Sequence, residues 1–273
     1  MKEKNVIRGE KTGKAKIAVY IVLRVLVIAV MVAQIFNHNW HNVMTCALTL
    51  ILFMMPTIIS RRLSINLPTA LEVIIVLFIF AAEILGEIQG FYVMYPRWDD
   101  MLHTTNGFLA AAIGFAMIDI LNRNDKVKMS LSPMFVALVA FCFSMTIGVL
   151  WEFFECSMDM FFGKDMQKDT WLTSFNSVAI NPDGLNEPVH VDVESVSVNG
   201  MTWDKYLDVG LYDTMHDLFV NFIGAVVFSA LGLMYIKARG KGFAAKFIPT
   251  LRKKEEKYTN FLTLSLGQGL NFI

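Results

Sequence analysis

The chain has 273 residues, of which 55% are hydrophobic and 18% charged, with a mean hydropathy of +0.50. Soluble domains carry about 25% charged residues, so this balance, with 22 Phe and 17 Met, excludes an ordinary soluble domain, a disordered chain and a disulfide-stapled secreted scaffold. Net charge is +0 from 24 basic and 24 acidic residues, without the basic excess of a nucleic-acid binder, and no nucleic acid is expected as a partner.

A membrane-spanning helix needs about 20 mostly apolar residues. Six segments qualify: Ile17–Phe36, Val43–Ile59, Leu71–Ile88, Met101–Leu121, Pro133–Glu155 and Tyr212–Ile236. The first follows a basic stretch, but it is too long for a signal-peptide core and lacks a small-residue cleavage site, so it reads as a retained anchor. Cys46, Cys142 and Cys156 lack metal-ligand spacing and read as small packing residues.

Orientation follows from Lys and Arg in the connections. Residues 1–16 hold six, 60–69 hold two, 122–132 hold three and 237–273 hold eight. The opposite side holds only Arg97, Lys164, Lys168 and Lys205. Arg24, inside the first segment, is expected to snorkel towards the basic side. Both termini are therefore expected to be cytoplasmic. The expected organisation is a basic N-terminus (1–16), five spanning helices (17–155), an extracytoplasmic insertion (156–211), a sixth helix (212–236) and a basic tail (237–273). The insertion carries nine acids and three bases. Alternation through Val189–Val198, then Asn199-Gly200, predicts a small β-hairpin there, with Pro182-Asp183-Gly184 as a turn before it. The fold class is an all-α polytopic membrane protein with this small cap.

Ionisable residues in spanning helices are costly, and each is a functional-site hypothesis by default. Here they gather in one layer at the extracytoplasmic ends of four helices. The third segment ends with Glu83 and Glu87. The fourth starts Trp98-Asp99-Asp100-Met101-Leu102-His103, then Asn106. The fifth ends Trp151-Glu152-Phe153-Phe154-Glu155. The sixth starts Asp213-Thr214-Met215-His216-Asp217, then Asn221. Taken singly, Asp99 and Asp213 read as helix N-terminal caps, Glu83 and Glu87 as a packing pair, and either histidine as an interfacial residue. Glu72 and Asp119, at the other end, read as solvated, and His190 has no visible partner. Convergence on one side at one depth is what favours a site.

Eight carboxylates so close cannot all stay ionised unless a cation joins them or water enters freely. Carboxylate with imidazole suits Mn, Fe or Zn, and carboxylate alone suits Mg or Ca. His103, Glu152, Asp213, His216 and Asp217 are the expected ligands of a divalent metal (Mn, Fe, Zn or Mg), with Asp100 or Glu155 as general base. Membrane lipid is the expected partner, and an envelope or lipid-linked headgroup the expected ligand. Two alternatives stand beside this reading. One is a non-catalytic interaction protein. The other is a proton-coupled transporter, which is weakened by sparse polar residues toward the cytoplasmic half and by the lack of an inverted repeat or a clearly broken helix.

Asp99-x-x-x-His103-x-x-x-Gly107 resembles the first signature of the YjdF-type family of bacterial inner-membrane proteins. Gly148-Val149-Leu150-Trp151-Glu152-Phe153-Phe154-Glu155 resembles its second motif, and Asp213 to Asp217 with Asn221 and Gly224-Ala225 its third. The order of motifs is more loosely similar to VanZ-like proteins, although the 156–211 insertion departs from their compact pattern. The resemblance spans roughly residues 70–236 and implies a bacterial plasma-membrane helical bundle. It implies no catalytic role.

Overall fold

The structure is a computed structural model that describes residues 2–62, 65–122 and 130–251, with side chains from residue 13 onward except at 120 and 251. The basic positions Arg123, Lys126, Lys128 and 252–273 used in the orientation argument lie outside the described residues.

The helices are α1 (Lys2–Phe36), α2 (Trp40–Leu52), α3 (Met55–Arg62), α4 (Thr69–Phe80), α5 (Phe91–Met94), α6 (Trp98–Asn122), α7 (Pro133–Phe162) and α8 (Leu211–Lys237). Among the described residues, six stretches are long and apolar enough to cross a membrane: 13–36, 40–62, 69–88, 98–119, 133–162 and 211–237. Their exposed faces are apolar, with Val25, Leu26, Phe135, Leu138, Val226 and Val227 turned outward. That suits a solvent of lipid tails, where every backbone polar group must be satisfied within the helix.

Two spans are not continuous α-helices, contrary to the sequence expectation. The second is interrupted at Phe53-Met54, between α2 and α3. Pro56 explains this, because it has no N–H to return to the preceding turn and its ring crowds the residues before it. The third changes at Ala81 into a π-helical segment, Ala81–Ile88, which carries Glu83 and Glu87. The Trp98 indole N–H donates to the Ala81 carbonyl at 3.3 Å, where the segment begins.

Helices α6, α7 and α8 form the tightest part of the bundle. A Cβ at Gly107 would strike the Asn221 carbonyl, one at Gly224 would strike the Thr104 carbonyl, and one at Gly148 would lie 2.7 Å from the Asn221 amide nitrogen. Small residues thus let the three backbones meet, as is usual for membrane helices. Ser144 Oγ donates to the Gly107 carbonyl at 2.7 Å and ties α7 to α6. Beneath this contact, Phe115 and Phe228 are fully buried with Leu71, Ala111, Ala140 and Tyr235. A second apolar cluster joins α1, α2 and the third span around Val27, Cys46, Phe53 and Val76.

At the opposite end from the acidic layer, Glu72 is buried and paired with Lys16, and Asp119 is buried too, so neither is a solvated helix-end acid. Arg24 lies over the Tyr20 ring, 5.2 Å from its centroid, one turn toward the N-terminus.

Helix α7 continues two turns past Glu155. Gly163, with φ +60°, ends it, and the amide of Lys164 returns to the Met158 carbonyl at 3.3 Å. The left-handed conformation needed there is one glycine adopts without cost. A short antiparallel pair joins β1 (Ile65–Asn66) to β8 (Thr250–Leu251), and between α7 and α8 lie three more two-stranded pairs, made from β2 (Thr170–Leu172), β3 (Ser174–Ser177), β4 (Val189–Asp192), β5 (Val196–Val198), β6 (Met201–Trp203) and β7 (Tyr206–Asp208). β2 pairs with β7, β3 with β4, and β5 with β6. The alternating run 189–198 is therefore two strands with different partners. Asn199 and Gly200 join β5 to β6 with φ of +53° and +82°, the paired positive values of a tight hairpin turn. Trp171 and Trp203 pack at 6.0 Å, and Phe175 and Tyr206 at 5.8 Å, across the pairs. His190 Nδ1 lies 2.9 Å from Asn176 Oδ1, so it has a partner on the neighbouring strand.

The loop after α7 fastens the cap to α7 and α8. Asp159 accepts the amides of Met166 (2.7 Å) and Gln167 (2.8 Å), Gln167 bonds to Thr214, and the Lys168 amide donates to Asp213 Oδ2 at 2.6 Å. Each amide bond to a carboxylate is worth about 1.5–3 kcal/mol when its geometry is good. Asp159→Ala is expected to speed hydrogen exchange at the Met166 and Gln167 amides by at least about tenfold, while the amides of β3 and β4 keep their protection. Unchanged exchange at both amides would show that the carboxylate does not hold this loop.

Candidate metal centre

His103 sits on the second turn of α6 and is the hub of the acidic layer. Its Nε2 lies 3.5 Å from Asp99 Oδ1 and 3.6 Å from Asp217 Oδ2, and its Nδ1 lies 3.7 Å from Glu152 Oε1. Three helices thus bring carboxylates to one imidazole. Asp99 and His103 are four apart on one face of α6, and Glu152 and Asp217 arrive from α7 and α8.

These separations exceed good hydrogen-bond length. Two donors bound to one ion at about 2.1 Å would stand roughly 3–3.4 Å apart, so small side-chain movements would bring this set to coordination distance. One atom each from His103, Glu152, Glu155 and Asp217 lie within 4.8 Å of one another, and all four residues are buried. Two further groups meet the same limit, Asp100 with His216 and Asp217, and Asp99 with Asp213 and Asp217.

Polar satisfaction sets the buried group apart. Both oxygens of Glu152 and Oδ2 of Asp217 are buried without a hydrogen-bond partner. Asp217 is 1% exposed and Glu152 4%. A buried carboxylate without hydrogen bonds is costly, and for Glu152 Oε1 and Asp217 Oδ2 the His103 imidazole, at 3.7 and 3.6 Å, is the neighbouring polar group, so the arrangement suits a cation or protons. The remaining contacts position these side chains. The Trp151 indole N–H donates to Glu155 Oε1 at 2.8 Å. Asn106 Nδ2 donates to Asn221 Oδ1 at 3.4 Å just below the site. Asp99, Asp100 and Asp213 lie in the first turns of α6 and α8, where the helix dipole favours negative charge.

The sequence-selected residues are therefore brought together, but not as a single ligand sphere. His103, Glu152 and Asp217 meet in the buried group, and Glu155 joins them rather than standing apart as a base. Asp100 faces His216, with 3.4 Å between Oδ1 and Nδ1, at a half-exposed position. Asp213 is engaged by the Lys168 amide. Glu83 is half-buried and Glu87 exposed, and among the described residues neither enters a convergent group.

Sequence reasoning missed Tyr92 and the fastening loop. Tyr92 packs its ring against Gly86, where a Cβ would lie 2.8 Å from Cζ. Burial, then the charges of Asp99, Glu87, Glu83 and Glu155, push its phenol well above the usual range. Its only sequence signal was Gly86 six residues earlier. Asp159, Gln167 and Lys168 lie where helical periodicity gives way to a loop, and nothing in their spacing marked them.

No curated protein and no solved structure matches the chain. A family model described as predicted membrane protein (DUF2238) matches residues 18–238, a wider span than the motifs alone suggested. That match lends no support to the looser VanZ likeness. The chain belongs to this DUF2238 family of predicted membrane proteins, the YjdF-type family its three helix motifs resemble.

Proposed function

We propose that the protein is a plasma-membrane bundle that holds a divalent cation, Mn, Fe, Zn or Mg, in an outward-facing carboxylate/His site, and uses it to bind a phosphate-bearing headgroup of the cell envelope. The observation that carries this reading is the set of buried, unpartnered oxygens of Glu152 and Asp217 around His103. The donor chemistry fits a hard or borderline divalent ion. Whichever His103 nitrogen binds the ion, the other faces a carboxylate, the usual device for fixing a ligating imidazole.

The outward placement rests on the Lys and Arg distribution, with both termini cytoplasmic and the β-cap over the site. A cation at that depth would meet lipid headgroups and could bridge carboxylates to phosphate oxygens. Asp100 and Glu155, the two expected bases, both fall within convergent donor groups, Asp100 with His216 and Asp217 and Glu155 with His103, Glu152 and Asp217, so a binding role is better supported than cleavage. Transport is less well supported, since the apolar layer of Phe115 and Phe228 lies below the site.

Native mass spectrometry of protein released from micelles doped with phosphatidylglycerol or diacylglycerol tests the headgroup claim. With Mn²⁺, phosphatidylglycerol should be retained at least about tenfold over diacylglycerol, and chelation should remove the preference. Equal retention of both lipids, or a preference that survives chelation, would contradict it.

A further inference from the structure

We propose that the site is a two-cation centre bridged by Asp217. This rests on the cation reading above and goes beyond it in nuclearity and in the class of ligand.

Among the described residues three convergent donor groups occur in the layer, and Asp217 belongs to all of them. A carboxylate has two oxygens and can serve two ions at once. Its buried Oδ2 has no hydrogen-bond partner and lies 3.6 Å from His103, so it serves the inner group of His103, Glu152 and Glu155. The same residue also closes the outer group with Asp100 and His216. The two groups share no other residue.

Charge supports two ions over one. The three groups contain six carboxylates and two imidazoles. One divalent ion would leave about four formal negative charges in a mostly buried space, and two would leave about two. The N-termini of α6 and α8, each about half a positive charge, offset part of that remainder.

The positions differ in access. The inner one is surrounded by four buried protein donors and has the character of a closed site. The outer one has three protein donors, one of them exposed, and keeps coordination positions for an external ligand. Paired ions about 3.5–4 Å apart typically clamp two oxygens of one phosphoryl group. The ligand class is therefore a phosphate monoester or diester presented at the outer interface, whether on a lipid or free. Asp213, held by the Lys168 amide, borders this position and ties it to the cap.

Mn²⁺ titration of the purified full chain, read by elemental analysis and electron paramagnetic resonance, tests the proposal. Wild type should bind about two Mn²⁺ per chain with a spin-coupled signal. Asp100→Asn/His216→Ala should retain one, uncoupled. Asp217→Asn should lose the coupling and at least half of the bound metal. Inorganic phosphate should alter the coupled signal of wild type and leave the signal of the outer-pair variant unchanged, and phosphatidylglycerol in place of phosphate should do the same if the ligand is lipid-borne. One uncoupled Mn²⁺ in wild type would overturn the bridge and leave the single-cation reading standing. No Mn²⁺ in wild type would overturn both. Two coupled ions in the outer-pair variant would overturn the assignment of Asp100 and His216. Should that variant fail to fold, the wild-type stoichiometry and coupling decide the matter.

Discussion

Gly224→Leu is expected to abolish recovery of folded, monodisperse protein. A Cβ at this position would run into the Thr104 carbonyl and come within 2.8 Å of the Phe108 amide nitrogen. Both obstacles are backbone atoms of α6, so no side chain can rotate away. Overpacking a core usually costs about 1–3 kcal/mol, and a collision of two helix backbones should exceed that. Relief requires α8 to move away from α6. That movement would break the Asn106–Asn221 bond and carry Asp217 away from His103. Gly13→Leu, where nothing lies within 4 Å of a Cβ, is the matched control and should behave as wild type. Size-exclusion profile and thermal midpoint in detergent provide the check. A Gly224→Leu protein with a wild-type midpoint would show that α6 and α8 are not in backbone contact.

Glu152→Gln should change stability in opposite directions with and without cation. The Glu152 oxygens have no hydrogen-bond partner, and the residue sits close to the Glu155 and Asp217 carboxylates, with the His103 imidazole 3.7 Å from Oε1. Glutamine keeps the shape and removes the like-charge repulsion, so the chelated variant should melt higher than chelated wild type. One kcal/mol corresponds to about 2–4 °C in a chain of about this size, and a rise of a few degrees is expected. With Mn²⁺ present the order should invert, because wild type gains binding energy that the variant lacks. A ligand present at 100 times its Kd adds about 2.7 kcal/mol. Functional sites commonly carry stability costs of this kind. A variant less stable than wild type under both conditions would mean that the Glu152 carboxylate is stabilising without a cation, through its pairing with His103.

Much of this architecture can be read from the chain because lipid imposes simple rules. Apolar length marks the spans, and the clustering of Asp99, His103, Glu152, Asp213 and Asp217 at one depth marks the layer. Gly107, Gly148 and Gly224 mark where helices meet, and the contacts at Asn221 and Thr104 give their physical reason. The end of α7 is less legible. Glu155 looks like a terminus because Asp159, Lys164 and Asp165 follow it, yet Met160, Phe161 and Phe162 continue the helix to Gly163. The π segment escapes periodicity altogether, since its eight residues, two of them glutamates, are too few to distinguish one winding from the other. Glu72 looks solvated from sequence because its partner, Lys16, is 56 positions away and belongs to a stretch that reads as a cytoplasmic tail. The division of the acids into inner and outer groups depends on helix rotation, which the positions of the charges along the chain do not specify.

The central claim is that His103, Glu152, Glu155 and Asp217 hold a cation. Elemental analysis of purified wild type and a His103→Ala/Glu152→Gln variant, each equilibrated with Mn²⁺, Fe²⁺, Zn²⁺ or Mg²⁺ and desalted, tests it most directly. The account predicts stoichiometric retention of at least one of these ions by wild type. It also predicts a loss of more than about 100-fold in affinity in a variant that keeps its helical circular dichroism, since second-shell changes alone cost about 10–100-fold. No ion retained by folded wild type, or equal retention by the folded variant, would contradict it.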